Sequence, residues 1–382
     1  MDGIGKAQRF QTVVIGGGQA GLSLGYHLAR RGMPFVILDA GERVGDAWRS
    51  RWDSLQLFTP ARYDGLDGMA FPAPPRTFPT KDAMADYLEG YATHFGLPVR
   101  SGVRVDGLSR LEDRFLIRAG DLAFEADNVV VAMGSHQRPK VPTLAQELDP
   151  RIVQLHSLDY RNPSQLREGD VLVVGAANSG ADIAMDLVRS HRVWMAGPNP
   201  GQVPFPFGTR FTLAVGLPVM RFVGHRLLHV ATPLGRKARP KLLHRATPLI
   251  RYKGKDLAAA GIERVPRVIG VRGGMPRLED GRVLEVSNVI WCTGYLPTFS
   301  WIDLPVFDDD GQPRHRRGVV PDEPGLYFLG LHFLSSMTSE TVTGVGRDAS
   351  YIARSLAARV RASGATPAPG AARQEAAPIA AR

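Results

Sequence analysis

The sequence predicts an α/β protein built from two nested strand–turn–helix–strand units. Three observations predict it. The run "VVIGGGQAGLSLGYHLA" at 13–29 passes from an apolar strand through glycines into helical spacing. The run "VLVVGAANSGADIAMDL" at 171–187 repeats that rhythm 159 residues later, Gly16 to Gly175. Strand signals then return at 283–294 and 326–331, ahead of a closing helix at roughly 341–361, so chain from both ends completes the first unit.

The elements follow in order. "TVVIGGG" is a buried strand running into glycines. "QAGLSLGYHLARRG" sets Leu22, Tyr26 and Ala29 on one helical face and stops at Gly32. "PFVILDA" is the next strand, ending in Asp39. Pro- and Gly-rich loops fill 58–80, and a helix is expected at 81–95. Short alternating strands over 115–134 read as an antiparallel excursion that returns to a parallel strand at Gly134. The second unit runs "DVLVVG", "SGADIAMDLVRS", "RVWMAG". Residues 198–255 read as Pro-broken and basic, and the Ala/Pro-rich tail from 363 as disordered. The expected division is 1–140, then 165–285 with the 198–255 insertion, then 286–362 and the 363–382 tail.

Composition narrows the classes. At 382 residues and 44% apolar, the chain is a globular protein with room for two domains. Its start lacks the pattern of a secretory leader, and no stretch reaches about 18 apolar residues. The single cysteine, Cys292, excludes disulfides, thiolate zinc clusters and a dithiol centre within the chain, and it fits a reducing, cytoplasmic setting. Cys292 lies in an apolar strand and reads as core. No metal site is expected.

The net charge of +10 is localised. Residues 187–255 carry thirteen Lys or Arg and no Asp or Glu, and the rest of the chain sums to −3. No nucleic-acid motif accompanies this basicity, so nucleic acid is not expected as a partner. Three readings of the region stay open: it holds a 2′-phosphate and covers a substrate channel, it touches an anionic membrane through 211–237, or it is a solvated basic surface. The "RHRR" run at 314–317 reads as a solvated loop.

The turns carry the chemistry. Gly16 lets the chain leave the strand sharply, Gly18 lets backbone approach a pyrophosphate, and Gly21 lets helix and strand pack closely. The helix N-terminus then offers free N–H groups to phosphates. Asp39 is placed to accept hydrogen bonds from an adenosine ribose. In the second turn Gly175 and Gly180 flank Ala177, whose methyl stands at the point of closest approach. Asn178 and Ser179 add polar groups where the helix starts. Two such units, with a dithiol excluded, predict two Rossmann-like dinucleotide-binding domains. One takes a flavin and the other a nicotinamide, with hydride passing between them.

At these residues the chain resembles the flavin-containing monooxygenase-type family, the group of YUCCA-like and short bacterial flavoprotein monooxygenases, over about residues 10–360. "VVIGGGQAG" is similar to its FAD fingerprint, and "GDAWRSRWDSLQLFTPARY" at 45–63 to its Trp-Arg segment. "VLVVGAANSGADIAMDL" is similar to its NADPH fingerprint. "VIWCTGY" at 289–295 and "GLYFLGL" at 325–331 are similar to its C-terminal elements. His156 and Tyr160 stand where the identifying motif ends, with Pro150 and Ile152 at its Phe and Gly positions. The Trp-Pro ending of Baeyer–Villiger members is absent.

The resemblance implies a glutathione-reductase-like two-domain flavoprotein, with the NAD(P)H domain inserted in the FAD domain. It extends the FAD-side residues from Gly16, Gly18, Gly21 and Asp39 to Gln19, Ala20, Trp48, Arg49, Gly134, Thr293 and Gly294. The NAD(P)H side comprises Gly175, Ala177, Asn178, Ser179, Gly180 and Arg192. No acid follows the second strand and Pro198 and Asn199 stand where an arginine is common, so NADPH is expected to be preferred with NADH usable. The implied activity is NAD(P)H-dependent monooxygenation of a small organic substrate with O₂, through a C4a-(hydro)peroxyflavin. N- or S-oxygenation ranks above carbonyl oxidation. A catalytic side chain is not singled out, and His156 reads as structural or orienting. A peroxide-producing flavin oxidase or reductase, and a non-enzymatic flavoprotein redox sensor at a membrane partner, remain as alternatives. Peripheral membrane contact and a homodimer also stay open.

Overall fold

The apolar run expected as the first strand is β1, Gln8–Ile15, whose Val13 and Val14 are fully buried. The computed structural model describes residues 7–243, 245–296 and 298–362, so the tail expected to be disordered lies outside the described residues. After β1 come α1 (Gln19–Ala29), β2 (Val36–Leu38), the short α2 (Asp46–Arg49) and α3 (Lys81–His94). The Thr80 hydroxyl caps α3 by accepting the Ala83 N–H at 3.2 Å. Strands β3 (Val99–Arg100), β4 (Gly107–Leu111), β5 (Arg114–Ala119) and β6 (Leu122–Val131) complete this stretch. β4, β5 and β6 form the antiparallel excursion, and β6 returns parallel to β1 with Val129 opposite Val13.

β7 (Arg138–Pro139) leads into a second sheet of β8 (Val153–His156), β9 (Val171–Val174) and β10 (Val193–Ala196), with α4 (Asn178–Leu187) between the last two. The basic region is helical where the sequence read as Pro-broken. Residues 210–227 form one helical run, with α5 (Leu217–Phe222) set between π-type turns at Thr212–Gly216 and Val223–Leu227. α6 (Pro233–Leu243), α7 (Gly254–Ala259) and β11 (Glu263–Val265) follow, then the hairpin β12 (Val268–Arg272) and β13 (Met275–Leu278). The last elements are β14 (Asn288–Trp291), β15 (Tyr295–Leu296), β16 (Ile302–Asp303), β17 (Leu326–Phe328) and α8 (Val342–Ala362).

The first sheet is ordered β16-β4-β5-β6-β1-β2-β3, with β17 also on β6, and the second β11-β10-β9-β14-β8. The second unit is therefore inserted in the first. The expected boundaries at 165 and 285 are corrected. β8 and β14 both pair within the second sheet, Val289 lying opposite Gln154 and Leu172. β8 reads Val-Gln-Leu-His and β14 Asn-Val-Ile-Trp, and strands of four residues do not announce which sheet will take them. The two crossings between sheets run side by side as an antiparallel ribbon, β7 against β15.

Each unit has its own core, and α8 closes the first by laying Val345, Ala349, Ile352, Ala353 and Leu356 against it at helical spacing. In both sheets the chain order reverses beside the strand that carries the glycine turn. β1 lies between β2 and β6, and β9 between β10 and β14. Such a reversal opens a crevice at the carboxyl ends of the strands, where ligands of α/β sheets bind.

Candidate dinucleotide sites and the cleft between them

The two turns obey the same geometry. Gly16 has φ +111° and Gly175 φ +115°, a region that glycine alone occupies easily. A Cβ on Gly16 would stand 2.7 Å from the Ala132 carbonyl oxygen, and one on Gly175 2.1 Å from that of Cys292. A Cβ on Gly21 would meet the Gly16 oxygen at 1.9 Å, and one on Gly180 the Gly175 oxygen at 1.9 Å. Each third glycine is thus required by its first. A Cβ on Gly18 meets nothing within 4 Å, so the backbone there borders open space. Neither α1 nor α4 has a side-chain cap or an acid in its first turn. Their leading N–H groups stay free for an anion.

Ala177 replaces the open glycine without strain. Its φ of −86° and ψ of −166° match the −76° and −171° of Gly18, angles an alanine adopts freely. Asn178 turns away from any phosphate: its Oδ1 accepts the Ile250 N–H at 2.9 Å and its Nδ2 donates to the Pro248 oxygen at 3.0 Å, which anchors the basic region to the turn. The Ser179 hydroxyl has no partner among the described residues. Asp39 accepts the N–H of Gly17 at 2.5 Å and of Gly41 at 2.8 Å, so its carboxylate is fixed at the end of β2 with lone pairs to spare. Ala20 packs beneath Gly330, where a Cβ would come within 2.9 Å of its own.

Two expected residues have protein partners of their own. Arg49 donates to Asp86 and Glu89, both at 3.0 Å, and to the Val44 oxygen at 2.6 Å. Its charge is spent clamping α2 to α3. Arg192 immediately precedes β10, where its backbone oxygen accepts the Val171 N–H at the amino ends of β9 and β10. Its side chain pairs with Glu263 at 2.7 Å and stacks over Trp194 at 4.4 Å. The turn lies at the other end of the strands, so Arg192 cannot serve a phosphate there. Arg264, which the sequence reading passed over, reaches that end by donating to the Gly197 oxygen at 2.9 Å.

The remaining expected residues lie where the units join, Trp48 packing against both cores. Trp48 Nε1 donates to Gln19 Oε1 at 3.4 Å, and Gln19 Nε2 donates to the Glu340 backbone oxygen at 3.4 Å, which ties the start of α1 to the approach of α8. Gly134, Thr293 and Gly294 sit on the crossing ribbon, where Lys140 donates its N–H to the Gly294 oxygen at 3.0 Å and its own oxygen accepts the Thr293 hydroxyl. His156 orients this ribbon. Its Nδ1 accepts the Leu158 N–H at 3.1 Å, which leaves Nε2–H to donate to the Gly294 oxygen at 3.0 Å. Burial lowers the pKa of His156 and keeps it neutral.

Four further groups near this junction carry no sequence signal. Arg51 Nη1 donates to the Tyr295 hydroxyl at 2.8 Å, and the Tyr295 ring is flanked edge-on by His136 and His156. His332 donates from Nδ1 to Glu340 Oε1 at 2.7 Å; that bond raises the histidine, and it holds the carboxyl down against the opposing effect of burial. His136 is exposed, yet desolvation lowers its pKa, as expected of a group open on one side and walled on the others. These residues lie at 51, 136, 332 and 340, with no local motif to join them. Cys292 is alone, and burial pushes its thiol up to about 12, which is no nucleophile. Among the described residues no group of His, Cys, Asp or Glu could hold a metal ion, and no helix is long and apolar enough to cross a membrane.

Two nested dinucleotide turns, each at the carboxyl end of a strand in its own sheet, define a two-cofactor flavoprotein oxidoreductase, and the comparisons agree. A family model described as pyridine nucleotide-disulphide oxidoreductase matches residues 13–203. An uncharacterized CzcO-like oxidoreductase of Geobacillus kaustophilus (strain HTA426) is 38% identical over 345 residues, 89% of this chain and 96% of that protein. The probable indole-3-pyruvate monooxygenase YUCCA3 of Arabidopsis thaliana is 29% identical over 392 residues, 91% of this chain and 86% of its own. The structure of a flavin-containing monooxygenase from Stenotrophomonas maltophilia matches with a TM-score of 0.74 at 28% identity, over 92% of this chain and 99% of that one. The chain belongs to the pyridine nucleotide-disulphide oxidoreductase family, among relatives that include flavin monooxygenases.

Proposed function

We propose that the chain is an FAD- and NAD(P)H-dependent monooxygenase of a small organic substrate, with N- or S-oxygenation ranked above carbonyl oxidation. The observation that carries this reading is the pair of turns: Gly18 and Ala177 each border a helix N-terminus with no competing acid, at the crevices of two separate sheets. Bound FAD would supply the two-electron chemistry with O₂, driven by NAD(P)H.

The chain's own residues bind, orient and shield. The Gly16–Gly21 turn would hold the flavin pyrophosphate and Asp39 the adenosine ribose. The Gly175–Gly180 turn would hold the nicotinamide coenzyme, NADPH preferred and NADH usable. Arg264, not Arg192, stands near the place of a 2′-phosphate. His332 holds a proton on Nδ1 against Glu340 beside the first turn. The ribbon fixed by His156 sets the distance between the two sites. The lone buried thiol of Cys292 leaves no dithiol route through this chain.

The test is electron bookkeeping with isotopically labelled O₂ across a panel of amines and thioethers. Monooxygenation places one labelled oxygen atom in product for each NAD(P)H consumed and suppresses peroxide release. Peroxide equal to NAD(P)H consumed with every substrate would instead make the protein an oxidase.

A further inference from the structure

The helical run at 210–227 carries an apolar stripe on its outer face. Phe211, Val215, Val219 and Phe222 are 58%, 46%, 49% and 59% exposed, while Thr212, Leu213 and Gly216 between them, and Gly224 and His225 just after, are buried. The inner face is firmly held. His225 Nδ1 shares a hydrogen bond with the Thr338 hydroxyl at 2.8 Å, and Arg221 stacks over Tyr63 at 4.3 Å. The stripe is therefore a fixed surface of the fold. A run of large apolar side chains at helical spacing facing water marks a contact surface.

At the start of the same run a pocket of about 260 Å³ is lined by Arg62, Arg76, Arg210, Leu213 and Ala214. Arg62 donates to the Leu213 oxygen and lies over the Tyr63 ring, whereas Arg76 and Arg210 have no partner among the described residues. Three guanidinium groups with no acid among them form a receptor for an oxyanion, and bidentate phosphate recognition is what arginine does best. Arg226, Arg236, Lys237 and Lys241 extend the exposed positive surface beyond the stripe, in a region from 187 to 255 without a single acid.

We propose that this face docks the protein on an anionic phospholipid bilayer. The 62/76/210 arginine pocket takes a headgroup phosphate, and Phe211, Val215, Val219 and Phe222 enter the interface beside it. An amphipathic helix lying in the interface plane needs this combination of apolar stripe and flanking cations. A second copy of the chain fits less well. Self-pairing through this face would set arginine against arginine, at a Coulomb cost that an anionic surface turns into a gain. The inference stands apart from the proposed reaction and does not depend on it.

The test is flotation of the full-length, flavin-loaded protein with vesicles of phosphatidylcholine alone and of an equimolar mixture with phosphatidylglycerol. Binding to the mixed vesicles is expected, with little to phosphatidylcholine and loss in high salt. Arg76→Glu with Arg210→Glu, and separately Phe211→Ser with Phe222→Ser, should each weaken binding by about tenfold or more. Thermal midpoints should hold in both variants, because all four side chains are exposed. If the phenylalanine pair fails to fold, the arginine pair alone decides. Four results overturn the proposal: no flotation, equal binding to both vesicles, variants that float like the parent, or a solution dimer that the Phe211→Ser and Phe222→Ser changes dissociate. Binding of free inorganic phosphate without vesicle binding overturns it as well.

Discussion

Ala177 occupies in the second turn the place that Gly18 occupies in the first, with φ and ψ within about ten degrees of it. The difference between the two sites is thus one methyl group, not a different backbone. That methyl stands where Gly18 leaves the way to an anion open. Ala177→Gly should tighten NAD(P)H binding a few-fold, read as the coenzyme dependence of flavin reduction, and leave flavin content unchanged. It should also cost about 0.5–1 kcal/mol of stability, the entropy of a freer chain at the start of α4. Weaker coenzyme binding would mean that the methyl makes a contact the coenzyme needs.

The third glycines separate the two cofactors. Gly21→Ala and Gly180→Ala each drive a Cβ to within 1.9 Å of a carbonyl oxygen in the preceding turn, so strand and helix must part. Overpacking of this kind costs about 1–3 kcal/mol or more. Gly21→Ala should purify with little flavin. Gly180→Ala should keep its flavin, and dithionite should still reduce it, while NADPH should reduce it at least about tenfold more slowly. A Gly180→Ala protein that loses flavin and a Gly21→Ala protein that keeps it would reverse the assignment of the turns.

Coenzyme preference should follow Arg264 and ignore Arg192. Arg192 is bound to Glu263 at the amino ends of β10 and β11, some four residues of strand from the turn. Arg192→Ala should leave the ratio of NADPH to NADH efficiency unchanged. Arg264→Ala removes an exposed guanidinium next to the carbonyl that ends β10. A charge-assisted contact to a phosphate contributes about 1.5–3 kcal/mol. The NADPH efficiency should therefore fall roughly ten- to hundredfold, with NADH little affected. An equal loss for both coenzymes would show that Arg264 only supports the strand.

What the sequence disclosed followed from how local each constraint is. Gly16, Gly21, Gly175 and Gly180 are demanded by clashes within a few residues or against an adjacent strand end, so the turns could be read in place. α3 and α8 are legible because a long helix repeats its buried face every three to four residues along one stretch of chain. β14 falls in the other unit because three apolar residues after Asn288 look the same in either sheet. The prolines of 198–255 hide the helical run at 210–227, which contains Pro218. That proline falls in the first turn of α5, directly after a π-type turn whose i→i+5 spacing accommodates the missing N–H. The meeting of Arg51, His136, His332 and Glu340 is a product of the nesting itself, and no window of the sequence contains it.

The same nesting buries Asp64, and stability should depend on pH through it. Asp64 is fully buried beneath the basic helical run, where desolvation raises its carboxyl to about 7 against the hydrogen bond from Thr59 and the nearby charge of Arg221. Its Oδ2 has no hydrogen-bond partner among the described residues. The folded protein therefore keeps a proton that the unfolded chain releases near pH 3.8. Unfolding releases that proton between pH 3.8 and about 7, so the folded state loses stability as pH rises through this window and the loss is complete above it. A shift of this size corresponds to about 4 kcal/mol. Asp64→Asn keeps the acceptor for Thr59 and removes the titration. Relative to the parent, it should gain stability steadily from pH 4 to pH 7 and then hold a constant advantage, as measured by urea midpoints across that range. Asp182, raised to about 6, and Asp348, also raised, pull the same way, whereas burial lowers His225 and His315 to about 4 and so adds stability as pH rises from 4 to 6.5; the Asp64 contribution is therefore read as the difference between parent and variant, not from either curve alone. A parent and a variant whose midpoints run parallel over the whole range would mean that Asp64 is already ionised in the folded protein, with Arg221 as its counter-ion.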